Sequence, residues 1–170
     1  LDISGYELEV SQETRREVRG TKLSVQIQNP VRYSPRSLLD TVMNSGLPEG
    51  VKAEAGEVLS TLWRAEIRVH GESEEALELE ELGSVDTLVD VVGAVAGLRL
   101  LGIQEVYASP LLMGGGIAHT AHGAIPVPGP ATMELIAEAR APVISPTPRQ
   151  PMPGELTTPT GAALLTTLAS

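Results

Sequence analysis

The segment from Val85 to Leu101 constrains the fold more than any other part of the chain. Its sequence, VDTLVDVVGAVAGLRLL, is apolar around most of a helical circumference. A helix with so little polar surface has to be buried on several sides. Ser84, directly before it, is a residue type that favours the N-cap position. We therefore predict one central buried helix over residues 85–101, with the other elements packed around it.

Two carboxylates and two glycines share one face of this predicted helix. Asp86, Asp90, Gly93 and Gly97 follow one another at steps of four, three and four residues, which places them on a single stripe. The first turn of a helix favours Asp86, but Asp90 lies deeper, between two valines, where an unpaired carboxylate is costly. Asp90 is therefore predicted to be functional or paired with a basic group. We also expect a polar group or another backbone to approach this face closely.

Helical patterns occur on both sides of this segment. We predict a short helix from Pro35 to Asn44 and a long one from Pro48 to about His70. The long helix carries one apolar stripe, formed by Val51, Ala55, Val58, Leu62, Ala65 and Val69. Pro130 starts a further helix, and a last one opens within LTTPTGAALL. In the helix that starts at Pro130, the apolar residues at helical spacing are Met133, Ile136 and Ala137.

Strand patterns are short and scattered. Residues Tyr6–Val10 and Thr21–Gln28 alternate between apolar and polar side chains, and a charged loop is predicted between them. Glu105–Leu112 is typical of a mostly buried strand, and Pro142–Pro153 of a flexible or polyproline-like loop. Because these elements intermix without strict βαβ repetition, we predict an α+β (irregular α/β) fold with a small mixed sheet and about five helices.

Composition excludes several classes of function. The 170 residues fit one domain or two small ones. With 22 acidic and 12 basic residues the net charge is -10, so nucleic acid and anionic membranes are not expected as partners. The absence of cysteine rules out disulfides and thiolate metal sites, and the cytoplasm is the simplest compartment. The sequence carries no signal-peptide or membrane-span pattern. Because it begins with Leu1 and stops within a helical pattern, we expect a fragment.

The stretch GGGIAHTAHGAIPVPGPAT, residues 114–132, is dense in glycine, histidine and proline. It lacks the Gly-Lys-Ser/Thr of a nucleotide-binding loop and the spacing of a dinucleotide fingerprint. His119 and His122 are either hydrogen-bonded structural residues or metal ligands. A metal site needs further donors, and Asp86 and Asp90 are the best candidates.

Two other polar clusters have a structural and a functional interpretation. The glutamate run between Glu72 and Glu81 is typical of a solvated face. Thr157, Thr158 and Thr160 surround Pro159, where they can cap the last helix or bind the oxygens of a ligand. Capping is the interpretation that we favour. No serine lies in the context of a nucleophile elbow, so a catalytic triad is not indicated.

Four blocks in fixed order are more specific than any single residue. They are E-x-G-x-V-D-x-x-x-D at 81–90, V-Y-x-S-P at 106–110, T-A-H-G-x-x-P-V-P-x-P-A-T at 120–132 and T-P-T-G at 158–161. With them the chain resembles the nickel-insertion proteins of the nickel-pincer cofactor pathway, the LarC family, over nearly its whole length. The family's opening segment and its C-terminal domain have no counterpart here. The resemblance thus implies most of an N-terminal domain.

The resemblance implies a nickel chelatase of the lyase class. Such a protein inserts nickel into pyridinium-3,5-bisthiocarboxylic acid mononucleotide and uses CTP, with a divalent cation, in the C-terminal domain. The fragment alone is then expected to be inactive. Whether the protein forms a homo-oligomer is left open. The positions that match the family's motifs are Asp86, Asp90, His122 and Glu81 for the metal, and Thr120, His122, Thr158 and Thr160 for the mononucleotide.

The chain departs from the family at one motif. Members of the family carry H-x-H-E where this sequence has Glu78, Leu79, Glu80 and Glu81. Carboxylates still bind divalent cations, but they do not select nickel as imidazoles do. A diverged, non-catalytic metal-binding or assembly domain is therefore the alternative, and a metal-dependent hydrolase that uses Asp86, Asp90 and His122 is a third possibility.

Overall fold

The computed structural model describes residues 1, 3–28, 31–77, 79, 82–120 and 123–170. The helices of this part of the chain are α1 (Pro35–Met43), α2 (Glu49–His70), α3 (Val85–Leu100), α4 (Pro130–Ala139) and α5 (Pro159–Leu168). The strands are β1 (Tyr6–Arg15), β2 (Val18–Ile27), β3 (Leu111–Leu112), β4 (Gly116–Thr120), β5 (Gly123–Val127) and β6 (Val143–Ile144). These five helices and their small sheets confirm the α+β class.

The strands form three separate two-stranded ladders. β1 pairs with β2 and β4 with β5, both antiparallel, whereas β3 pairs with β6 in parallel. Each ladder is too small to enclose a core of its own. The helices therefore supply nearly all of the buried apolar surface.

Helix α2 occupies the centre of the helical core. It packs against α1, α3, α4 and α5, and its apolar stripe is buried from Val51 to Ala65, although Val69 is exposed. Helix α2 ends at His70. Its C-cap, Gly71, adopts a left-handed φ of 69° and donates its N–H to the Ile67 carbonyl. The fully buried side chains around α2 include Leu38, Val42, Leu88, Val91, Val95, Leu135, Ala162 and Ala163.

The predicted central position of residues 85–101 is wrong. Helix α3 buries Leu88, Val91 and Val95, but its opposite side is open. A Cβ added to Gly93 or Gly97 meets no atom within 4 Å, so nothing in the described part of the chain approaches the glycine stripe. The helix also ends at Leu100, which is 87% exposed. Hydropathy showed that α3 is apolar but not which of its faces is covered.

The charged segment between the first two strands is not a loop. β1 and β2 remain paired from Tyr6 opposite Ile27 to Arg15 opposite Val18. They are joined by Arg16 and Glu17, which adopt φ values of 46° and 68°. A two-residue turn with positive φ at both positions matches the twist of the strands, so the ladder continues although its side chains are charged and exposed.

The predicted buried strand at Glu105–Leu112 is also mostly absent. Tyr107 is 74% exposed, and Val106 makes only an isolated bridge to Ala169. Pro110 has no N–H to donate to a ladder, and regular pairing starts after it, where Leu111 lies opposite Val143. In α4, the buried residues are Ala131, Thr132, Leu135 and Ile136, whereas Met133 is exposed.

The other predicted boundaries are confirmed. α1 begins at Pro35, with Ser34 as its N-cap, and Asn44 is its C-cap. α4 begins at Pro130 as expected, and most of the proline-rich segment between α4 and α5 is exposed and irregular. None of the described helices is long and apolar enough to cross a membrane.

Candidate functional site

A cleft of about 570 Å³ opens where the ends of several helices meet. Its polar residues include Glu66, His70, Asp90, Thr120, Thr158 and Thr160. The last turn of α2 forms one wall, and α3 contributes Asp90. Strands β4 and β5 and the first turns of α4 and α5 complete the lining. The site is therefore assembled from segments that are distant in sequence, and helices of the core contribute to most of its walls.

Asp90 supplies a carboxylate to this cleft without a basic partner. No hydrogen bond or ion pair joins it to another described residue. Partial burial, and second the negative charge of Asp86, raise the pKa of Asp90 above its ordinary value. Of the two interpretations that the sequence allowed, pairing with a basic group is not observed in the described residues, which favours a ligand-binding role.

Asp86 lies one turn before Asp90 on α3, but it does not line the cleft. Its side chain is exposed near the start of the helix, where the helix dipole favours a negative charge. The two carboxylates are close enough for the charge of Asp86 to act on Asp90. Asp86 thus influences the site through electrostatics.

Three threonines that were singled out from the sequence reach the cleft. Thr158 is the N-cap of α5, and its Oγ1 accepts a hydrogen bond from the Gly161 N–H at 3.1 Å, which confirms the capping prediction. Thr160 lies in the first turn of the same helix, and Thr120 Oγ1 donates to the Gly123 carbonyl at 3.3 Å. Thr157 instead donates to the Leu112 carbonyl at 2.7 Å and is buried outside the cleft.

Three ionisable residues of the cleft were not assigned from the sequence. They are Glu66 and His70 on α2 and Glu155 in the segment before α5. Glu66 Oε2 lies 3.4 Å from His70 Nε2. The Glu-x-x-x-His spacing at a helix end was available as a signal, because residues four apart on a helix lie on one face. The position of Glu155 has no comparable local signal.

Some predicted site residues lie outside the described part of the chain. They are His122 and Glu81, together with Glu78 and Glu80 of the acidic run. His119 lies in β4, where its side chain is exposed and does not line the cleft. Within the described residues, no group of three His, Cys, Asp or Glu side chains is placed to hold a metal ion.

The glycine triplet has a structural explanation. Gly114 adopts a left-handed φ of 69°, and a Cβ added there would lie 2.2 Å from the carbonyl oxygen of Gly154. Gly115 and Gly154 exchange two backbone hydrogen bonds, of 3.1 and 2.9 Å. The triplet therefore joins the start of β4 to the segment that carries Glu155 and leads into α5.

Ion pairs connect the helices that frame the cleft. Arg68 donates to Glu134 and Glu138 at 2.9 and 3.0 Å and so connects α2 to α4. Arg99 pairs with Glu54 and connects α3 to α2. These partly exposed pairs contribute little to stability. They show which side of α2 faces α4 and which side faces α3.

Comparison with known proteins gives a single family. The family model described as nickel insertion protein matches residues 1–170. A protein of Desulfitobacterium hafniense named pyridinium-3,5-bisthiocarboxylic acid mononucleotide nickel insertion protein is 39% identical, with 98% of this chain and 40% of its own length covered. Relatives from Thermomicrobium roseum and Roseiflexus castenholzii, whose names also refer to nickel insertion, are 42% and 39% identical.

These matches cover nearly all of this chain but less than half of each relative. The alignment covers 100% of this chain but only 42% of the Roseiflexus protein, and 99% of this chain but 41% of the Thermomicrobium protein. No solved structure shows a significant match. Because the family model extends from the first residue to the last, the chain belongs to the nickel insertion protein family.

Proposed function

We propose that the protein carrying this chain is a nickel chelatase of the lyase class, which inserts nickel into pyridinium-3,5-bisthiocarboxylic acid mononucleotide for the synthesis of a nickel cofactor. Family membership and the name of the Desulfitobacterium relative support the reaction. The observation that carries the assignment of the site is Asp90. It is a carboxylate in a cleft, with a raised pKa and no basic partner among the described residues.

Nickel in this proposal is a substrate that must enter and leave the protein. Asp90 is the proposed metal ligand in the cleft, joined by His122 and Glu81, and Asp86 adds negative charge beside it. Carboxylate and imidazole ligands bind a divalent cation without the strength of a thiolate cage. Such ligands suit a protein that has to pass nickel on to the sulfur atoms of the acceptor.

The mononucleotide is proposed to bind in the same cleft. Its oxygens would contact the hydroxyls of Thr120, Thr158 and Thr160, and we propose His122 as a further contact. The first turns of α4 and α5 line the cleft, and the N-terminus of a helix attracts phosphate through its unpaired N–H groups and its dipole. The phosphate would therefore face these helix ends, whereas the metal would face Asp90.

The use of CTP is assigned to a different part of the protein. The relatives extend well beyond the matched region, since this chain covers about 42% of the Roseiflexus protein. We propose that a C-terminal domain binds CTP with a divalent cation, that this chain forms most of an N-terminal domain, and that it does not turn over alone. A cytoplasmic location is part of the same proposal, whereas homo-oligomerisation stays open.

Nickel titration by calorimetry tests the site. The wild-type protein is expected to bind nickel, and Asp90→Asn is expected to weaken binding by about tenfold or more, because even indirect changes around metal ligands cost about 10- to 100-fold. Asp40→Asn is the matched control, since Asp40 is an exposed carboxylate on α1, outside the cleft. Equal affinities in all three proteins would exclude Asp90 as a ligand.

One observation favours the alternative of a diverged binding or assembly domain. The described residues contain no group of three metal-ligating side chains, and Glu78 and Glu80 stand where histidines are typical of the family. This alternative predicts that the wild-type protein does not bind nickel at micromolar concentration. The same titration therefore separates the two functions before any variant is made.

A further inference from the structure

Glu66 and His70 form a carboxylate–imidazole pair in the cleft. They lie one turn apart at the C-terminal end of α2, with Oε2 and Nε2 separated by 3.4 Å, and their side chains are only 12% and 29% exposed. A carboxylate beside one ring nitrogen orients the imidazole and increases its basicity. The C-terminus of a helix also favours a positive charge. This placement makes His70 a candidate proton acceptor in the cleft.

The chemistry of the proposed substrate requires such an acceptor. In a pyridinium-3,5-bisthiocarboxylic acid, the two sulfur-bearing groups flank ring carbon 4. A nickel ion held by both sulfurs is brought against that carbon, and insertion there replaces its hydrogen. The C4–H bond breaks, its electron pair forms the C4–Ni bond, and a proton leaves. Nickel enters and remains divalent, so the step needs a base but no oxidant or reductant.

We propose that His70 accepts this proton and that Glu66 positions the imidazole for the transfer. The inference rests on the proposed function. An imidazole gains and loses a proton near neutral pH, whereas a carboxylate bound to nickel is a poor base because the cation competes for its oxygens. Asp90 is the proposed metal ligand, and His70 is the histidine that the described residues contribute to the cleft.

Other titratable side chains share the cleft with His70. Glu66 lies on its own helix, Asp90 faces the cleft from α3, and Glu155 faces it from the segment before α5. Helices α4 and α5 contribute to the described lining only residues without titratable side chains, such as Ala131 and Thr160. An imidazolium formed by proton transfer would thus share the cleft with the carboxyl groups of Glu66, Asp90 and Glu155.

The test compares His70→Gln, Glu66→Gln and the control His119→Gln in the protein expressed from its whole gene. His119 is exposed on β4, outside the cleft. Single-turnover insertion of nickel into the mononucleotide is followed over pH, and the affinities for nickel and mononucleotide are measured separately. His70→Gln is expected to insert nickel at least about 100-fold more slowly, as is typical for loss of a general base, with both affinities within twofold of wild type.

Added imidazole should restore part of the rate of His70→Gln. In Glu66→Gln, the dependence of the rate on pH should change, whereas the control His119→Gln should keep the wild-type dependence. A wild-type rate in His70→Gln, or a loss of nickel affinity equal to the loss of rate, would overturn the assignment. A wild-type protein that binds nickel and mononucleotide but forms no product overturns the proposed function, and the role of His70 falls with it.

Discussion

Asp90 lies one helical turn from Asp86 on α3, and its pKa is raised by partial burial and, second, by the negative charge of Asp86. Only Asp90 reaches the cleft. A residue outside the site thus adjusts the charge of a residue inside it. Because a cation binds the ionised form of a carboxylate, the proposed binding of a metal ion by Asp90 would depend on pH.

Nickel affinity is expected to fall as the pH is lowered and Asp90 takes up a proton. Asp86→Asn removes the repelling charge and lowers the pKa of Asp90, so affinity should persist to lower pH than in the wild type. Asp90→Asn should weaken binding by about tenfold or more at neutral pH, and its difference from the wild type should narrow as the pH falls. Calorimetric titrations between pH 5 and 8 check this. If Asp86→Asn weakens binding at neutral pH as much as Asp90→Asn, then Asp86 is itself a ligand.

The raised pKa of Asp90 also predicts a dependence of stability on pH. The folded protein disfavours the ionised form, so this contribution to stability is fully present below the ordinary pKa and is lost as pH rises through the raised pKa. Asp90→Asn should therefore melt at a higher temperature than the wild type at neutral pH. The difference should vanish below about pH 3, where the carboxyl is neutral in both the folded and the unfolded state. Thermal unfolding of Asp40→Asn provides the control, and an equal gain there would contradict the prediction.

Gly114→Ala is expected to destabilise the protein by about 2 kcal/mol or more, because the new Cβ combines left-handed strain with a backbone clash. The atom that it meets is the carbonyl oxygen of Gly154, which belongs to the backbone and cannot rotate away. Chemical denaturation measures the loss. Gly20→Ala is the control, since a Cβ at Gly20 meets nothing within 4 Å, and it should change stability by no more than about 0.5 kcal/mol.

Gly97→Ala is expected to have the opposite effect. Gly97 lies within α3, and a Cβ there meets no described atom within 4 Å. Alanine should therefore stabilise the helix by about 0.5–1 kcal/mol through its higher helix propensity. The free energy of unfolding gives the answer. A clear loss of stability would show that another segment covers this face of α3 after all.

Two buried threonines make a matched pair. The hydroxyl of Thr157 donates to the Leu112 carbonyl at 2.7 Å, whereas that of Thr132 is buried and has no hydrogen-bond partner among the described residues. Thr157→Val should cost about 1–3 kcal/mol, because it leaves a carbonyl without its donor. Thr132→Val should be neutral or stabilising, because it removes a buried unpaired hydroxyl. Denaturation curves that show equal losses would contradict this assignment of hydrogen bonds.

The helices could be predicted more fully than their arrangement. Caps and apolar periodicity are local properties, so the ends of α1 and α2 follow from Ser34, Asn44 and Gly71. The position of α3 depends on which neighbours cover it, and the more amphipathic α2 takes the centre. The β1–β2 hairpin was underestimated because an exposed charged ladder has no hydrophobic alternation, and its turn residues, Arg16 and Glu17, are not typical of left-handed positions.

In the cleft too, some residues could be predicted from local sequence signals, whereas others depend on contacts between distant segments. Asp90 could be predicted because a carboxylate between valines conflicts with its apolar surroundings. The threonines near Pro159 could be predicted because their pattern is typical of a helix start. Glu66 and His70 lie in an otherwise ordinary amphipathic helix, and only the assembled fold shows that its end meets α3 and α5. Whether Asp86, Asp90 and the threonines bind nickel or mononucleotide stays a prediction.

The walls of the cleft differ in how firmly they are attached. Helices α2, α3, α4 and α5 pack against one another, whereas the extensive contacts of β4 and β5 are with each other. Moving a helical wall would expose core residues such as Leu62 and Leu135, which are almost completely buried, but displacing the β4–β5 hairpin would expose little apolar surface. Displacement of the β4–β5 hairpin is therefore expected to widen the cleft at a lower energetic cost than movement of any helical wall.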